Sequence, residues 1–137
     1  MKNLINDFIN QNDTVHDFLN TTGRDYEDAD KVIPLFVDFL RQTKFNAASG
    51  LDFANVLQLS NDKATFEHYD LNDVSRLFAS LMKVQEFNLD TYVDAGHFEW
   101  SVMNNNKKAQ AIAKKGIEKA NQKLNELQRL LDSINSE

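Results

Sequence analysis

The chain has 137 residues, of which 42% are hydrophobic and 26% are charged, a composition typical of one globular domain with its own core. It contains no cysteine, which excludes disulfide bonds, thiolate metal sites and cysteine nucleophiles. The net charge of −6 argues against binding to nucleic acid or to an anionic membrane, because both depend on basic surfaces.

The first predicted helix lies before Gly23, and it either runs as one helix or breaks near Asn12 and Asp13. We expect Gly23 to end this helix in the left-handed conformation that glycine adopts readily. The apolar residues that recur at helical spacing are Leu4, Ile5, Phe8, Ile9, Val15, Phe18 and Leu19.

Three further helices are predicted in the middle of the chain. The first runs from about Ile33 to Lys44, because Pro34 is tolerated in a first turn and disruptive later, or it begins earlier with a kink. The second is a short apolar helix over 51–59. The third begins after Asp70, a plausible N-cap, and runs to about Glu86.

The segment from Asp90 to residue 103 is ambiguous. Asp90 is a candidate cap for a short helix that Gly96 closes. Phe98, Trp100 and Val102 alternate with polar residues, a pattern that fits a short β segment within 97–103 and fits a helical turn equally well.

A long amphipathic helix is predicted at the C-terminal end, starting near Asn104. Its apolar residues are spaced alternately by four and three, as in a coiled coil. The preferred interpretation is a helix packed on its own domain. The alternative is a dimeric coiled coil, which the helix length of about 45 Å favours. The flanking residues, such as Lys114, Asn121 and Gln128, give that alternative no complementary charges. The apolar stripe consists of Ala113, Ile117, Ala120, Leu124, Leu127, Leu131 and Ile134.

These patterns predict a mainly α protein, a compact bundle of about five or six helices with a long C-terminal helix. It is expected to be a single domain with two parts. Residues 1–103 form an acidic helical body of net charge −9, and residues 104–137 carry +3. The lysines of the second part would lie along its own acidic body or along that of a partner copy.

Two clusters are candidates for a partner-binding surface. Asp25, Glu27, Asp28 and Asp30 form an acidic patch that could attract a basic protein, although a solvated loop with helix N-caps is the simpler interpretation. The other cluster is aromatic and could anchor an interface, although such residues more often fill a core. It consists of Tyr92, His97, Phe98 and Trp100.

Signatures of catalysis are weak. The four glycines are isolated, which leaves no phosphate-binding loop, and no serine lies in a nucleophile elbow. His68 and His97 have acidic neighbours and could form a ligand or metal site with nearby carboxylates, but the spacing typical of zinc hydrolases is missing. We therefore predict no catalytic residue, no metal and no cofactor.

The sequence supports three hypotheses of function. The preferred one is a non-catalytic protein-binding module, such as a small acidic inhibitor, immunity or anti-defence type protein that acts on another protein. The second is a homodimeric structural or adaptor protein assembled through Ile117, Leu124, Leu127, Leu131 and Ile134. The third is an enzyme or small-ligand-binding protein that uses His68 and His97. No signal peptide or membrane span is visible, so we expect a cytoplasmic protein without a nucleic-acid partner.

Overall fold

The structure, a computed structural model, describes residues 2–24, 27–43, 47–61 and 69–137. Within these ranges it contains α-helices joined by short 3-10 and π-helical turns, and no β-strand. The prediction of a mainly α fold with a long C-terminal helix is confirmed. The α-helices are α1 (Lys2–Phe18), α2 (Ala29–Gln42), α3 (Gly50–Gln58), α4 (Leu71–Val84), α5 (Leu89–His97) and α6 (Asn106–Asn135).

The chain divides into two compact units, unit 1 with residues 1–74 and unit 2 with residues 75–137. Unit 1 is held together by a phenylalanine cluster between α1, α2 and α3. The Phe36 ring is fully buried, and its centroid lies 5.1 Å from that of Phe18 and 5.2 Å from that of Phe53. Val15, Leu19, Ile33 and Leu40 are other buried apolar residues of this core.

α1 runs unbroken through Asn12 and Asp13, so the break considered there is not observed, and a π-helical turn (Leu19–Gly23) follows it. Gly23 does not have a positive φ, so the prediction of a left-handed residue is wrong. Glycine is required there for space, because a Cβ at this position would lie 3.0 Å from the Phe36 ring.

α2 begins at Ala29, before the predicted start at Ile33, because Asp28 caps it. The Asp28 carboxylate accepts a hydrogen bond from the Lys31 backbone N–H at 3.3 Å. Pro34 therefore lies inside the helix, where its ring is exposed.

In unit 2, α5 extends past Gly96 to His97, and Asn88, not Asp90, occupies its N-cap position. A π-helical segment (Phe98–Val102) follows, so the helical alternative is the one observed over 97–103. Burial along this segment does not alternate as in a strand, because Phe98 and Glu99 are buried and the next three residues are exposed. Asn104 has a φ of 55° and redirects the chain into α6, which Asn105 caps.

Close packing between α5 and α6 depends on Gly116. A Cβ at Gly116 would lie 2.8 Å from the Cβ of Tyr92. The Tyr92 side chain is buried, and its hydroxyl donates a hydrogen bond of 2.7 Å to the Glu86 carbonyl. At Gly96 the nearest atom to a Cβ would be the Ile112 Cγ2 at 3.9 Å, an ordinary contact. The contact with Tyr92 therefore leaves no room for a side chain at Gly116, whereas the space at Gly96 would accept a Cβ.

We expect opposite effects from alanine at these two glycines. Gly96→Ala should raise the free energy of unfolding by about 0.5–1 kcal/mol, because alanine is the better helix former. Gly116→Ala should lower it by about 1 kcal/mol, because a steric cost of about 1–3 kcal/mol exceeds the same gain. Urea denaturation of both variants and the wild type measures the difference. Equal stabilisation by the two variants would contradict the close contact at Tyr92.

Candidate functional site

An apolar groove lies within unit 2, between α5 and the first half of α6. It has a volume of about 650 Å³. α5 and the segment after it contribute Leu89, Tyr92, Val93, Gly96, His97 and Trp100. The facing side of α6 contributes mainly small residues, with Ile117 as its large one, and these include Ala109, Ala113, Gly116 and Ala120.

The large side chains of this groove are exposed to an unusual degree. Trp100 is 59% exposed, Val93 is 55% exposed and Ile117 is 62% exposed. Scattered exposed apolar residues are normal in proteins, but large contiguous apolar patches mark interaction sites. These residues share one groove and therefore form such a patch.

The apolar stripe of α6 continues this patch beyond the groove. Ala113, Ile117 and Ala120 line the groove, and the remaining stripe residues follow on the same face of the helix. Every residue from 121 to 137 is exposed. We call the groove together with the later stripe the α5–α6 surface. The exposed stripe residues beyond the groove are Leu124, Leu127, Leu131 and Ile134, with Leu130 beside them.

Lysine side chains on α6 make polar contacts beside the apolar stripe. Lys123 Nζ lies 4.1 Å from the centroid of the Phe87 ring and donates to Glu126 Oε2 at 2.8 Å. Lys119 Nζ donates to Glu86 Oε2 at 2.9 Å, and this hydrogen bond raises the pKa of Lys119. The hydrogen bond from Lys123 lowers the pKa of Glu126. The contacts of Lys119 with Glu86 and of Lys123 with Phe87 join α6 to the residues that follow α4.

A buried polar cluster joins α4, the π-helical segment and α6 inside unit 2. Glu99 is 2% exposed, and its Oε1 lies 2.8 Å from Lys108 Nζ. The Ser75 hydroxyl donates to Glu99 Oε1 and accepts a hydrogen bond of 2.7 Å from Lys108 Nζ. Both hydrogen-bonding roles of the hydroxyl are therefore used within the cluster. This arrangement holds the three elements together.

The predicted acidic patch is largely occupied by contacts within unit 1. Asp28 caps α2, and Asp30 accepts hydrogen bonds from the Ser60 hydroxyl and from the Asn61 backbone N–H. Glu27 is exposed, and Asp25 lies outside the described residues. The carboxylates at 28 and 30 thus serve local structure, as the simpler interpretation of the sequence predicts.

The four aromatic residues of the second predicted cluster divide into two pairs. Tyr92 and Phe98 are core residues, 3% and 1% exposed. His97 and Trp100 are exposed at the groove, with ring centroids 6.3 Å apart. Only the second pair can contact a partner through most of its surface.

The histidines do not converge on one site in the described part of the chain. His16 on α1 is exposed and hydrogen-bonds to Asn20 in the following turn. His97 is at the groove, and His68 lies outside the described residues. Among the described residues, no three histidine or carboxylate side chains are placed to hold a metal ion. None of the helices that the structure describes has the length and apolar character needed to cross a membrane.

Two groove residues, Leu89 and Val93, were not predicted as site residues. A signal for them exists in the sequence, because Leu89, Val93, Gly96 and Trp100 follow the same spacing of four and three as the stripe of α6. Ser75 and Lys108 carry no comparable signal, since 33 residues separate them.

Comparison with protein-family models, with curated proteins and with solved structures gives no match to this chain. The function must therefore be argued from the geometry of the α5–α6 surface itself.

Proposed function

We propose that this protein is a non-catalytic protein-binding module and that the α5–α6 surface is its binding site. The observation that carries this proposal is the continuous exposure of large apolar side chains along the groove and the stripe of α6. A groove between two helices is a common receptor for an amphipathic helix, whose apolar residues enter it at helical spacing. Inhibitor, immunity and anti-defence type proteins belong to this class when they act by covering a surface of their target.

The composition of the surface suits association more than catalysis. Its centre is apolar and includes an exposed tryptophan, one of the residue types that dominate binding energy at interfaces. Lys119 and Lys123 lie at its polar edge, and their charges are already paired with Glu86 and Glu126. A bound partner would therefore gain most from apolar contact.

The proposal is tested by substitution in the groove. Val93→Asp/Ile117→Asp places two charges in the apolar centre, whereas Val84→Asp changes an exposed valine outside the groove and serves as the matched control. We expect tagged wild type and Val84→Asp to retain the same protein from host cells, and the groove variant to retain at least about tenfold less. The purified partner should then shift the fluorescence of Trp100, the one tryptophan of the chain.

Retention that is equal for all three baits would contradict the proposal. A retained protein that leaves the fluorescence of Trp100 unchanged would also count against this surface as its binding site.

A further inference from the structure

We propose that the α5–α6 surface is occupied by a second copy of this chain, with the two α6 helices antiparallel. This inference rests on the proposed function, since it names the partner of the same surface. The second half of α6 of one copy lies over the groove of the other copy. Both parts are present in every chain, so a two-fold arrangement fills both grooves at once.

The first argument concerns the length of α6. The helix has 30 residues and is about 45 Å long, but the groove ends at Ala120. The remaining residues, 121–135, form a helix with five exposed leucine and isoleucine side chains. Helices in proteins draw most of their stability from packing of an apolar face, and every residue of this half is exposed. A covering partner would therefore stabilise this half of α6.

The second argument is the match of side-chain sizes along the stripe. In an antiparallel pair, the register that places Ile117 opposite Leu127 of the second copy also places Ala113 opposite Leu131 and Ala120 opposite Leu124. Each alanine then faces a leucine, and Ile117 faces a residue of similar size, whereas Ile134 lies opposite Gln110 at the end of the pair. When one helix of a coiled coil is reversed, the a positions of one helix face the d positions of the other, and layers of this mixed kind result.

A parallel pair in register would fit less well. Ala113 and Ala120 would each face their own equivalent, and the small residues of the partner would lie over the groove. Val93 and Trp100 would then lack large apolar neighbours from the other copy. In the antiparallel pair the leucine-rich half of the partner helix lies over these two residues.

The size of the apolar surface bears on this arrangement. The groove has thirteen lining residues, and five further apolar residues follow on α6. Tyr92, Ala109 and Gly116 are buried, so fifteen of these eighteen residues per copy can contact a partner, somewhat fewer than the range of about 20–30 residues a side of standard interfaces.

The absence of cysteine allows a direct test of the register. Ile117→Cys/Leu127→Cys should form disulfide-linked dimers under mild oxidation, because each cysteine faces its counterpart in the other copy. The single variants Ile117→Cys and Leu127→Cys should remain unlinked, since the equivalent residues lie about 15 Å apart along the antiparallel pair. Within one chain the same distance prevents an internal bond.

Sedimentation of the purified, unmodified chain tests the second copy itself. We expect a dimer, and we expect Leu124→Asp/Leu131→Asp to raise its Kd at least about 100-fold. The helical circular dichroism should fall by no more than the contribution of residues 121–135, the half of α6 that the second copy covers. Val84→Asp is the control and should sediment as the wild type does.

The outcomes separate this inference from the proposed function. A monomeric chain that still captures another protein through the groove overturns the second copy and leaves the binding module in place. Cross-linking of the single-cysteine variants overturns the antiparallel order in favour of a parallel pair. A dimer that survives both aspartates would overturn the assignment of this surface.

Discussion

Replacing Phe36 by alanine is expected to lower the free energy of unfolding by about 4 kcal/mol, the cost typical of removing a buried phenylalanine. Phe36 is 0% exposed, and its ring lies among those of Phe18, Phe39 and Phe53. Gly23 packs against the same ring, so the neighbours on that side are backbone atoms that can move little into the cavity. Urea denaturation followed by circular dichroism measures the loss.

Leu35→Ala is the matched control for this prediction. Leu35 precedes Phe36 on α2 but is 47% exposed, so its truncation should cost less than about 1 kcal/mol. Hydrogen exchange should also localise the effect, with faster exchange in the α2 amides of Phe36→Ala. Similar losses for the two variants would show that the phenylalanine cluster is not the centre of unit 1.

The mainly α fold could be predicted because its signals are local. The spacing of apolar residues defines α4 and α6 without any knowledge of tertiary contacts, and both helices lie close to their predicted bounds. The break considered in α1 is not observed, because tertiary contacts override the local signal there. Asn12 and Asp13 are poor helix formers, but the apolar contacts of Val15 and Leu19 within unit 1 hold the helix in one piece.

The interior contacts of the candidate site could not be predicted. Glu99, Lys108 and Ser75 are separated by up to 33 residues, and nothing in the sequence pairs them. The alternation of Phe98 and Trp100 with polar residues suggested a strand as readily as a helix. The π-helical segment instead buries Phe98 together with Glu99, a combination that periodicity does not anticipate.

The sequence pattern could not predict which residues of the α6 stripe are exposed. An apolar stripe on α6 predicts that one face is covered, but it does not say by what. In the described structure the first half of the stripe borders a groove and the second half is exposed. The first half of α6 packs against α5, and pairing with another copy is our proposal for the second half.

Replacing Lys108 by methionine is expected to lower the free energy of unfolding by about 3 kcal/mol, because it leaves the buried carboxylate of Glu99 without its cation. Lys108 is partly exposed, but the side chain of Glu99 is only 3% exposed, so water cannot replace the lost partner. Lys107→Met is the control, since Lys107 is exposed on the same helical turn and should cost less than about 0.5 kcal/mol.

The double variant Glu99→Gln/Lys108→Met decides whether the loss comes from the unpaired charge. Removing both charges should recover at least about half of the stability, because a neutral amide can still accept the hydrogen bond of the Ser75 hydroxyl. A double variant as unstable as Lys108→Met would instead assign the loss to the packing of the lysine stem. Lys108 lies at the start of α6 and Glu99 in the segment after α5, so this ion pair joins the two elements that border the groove.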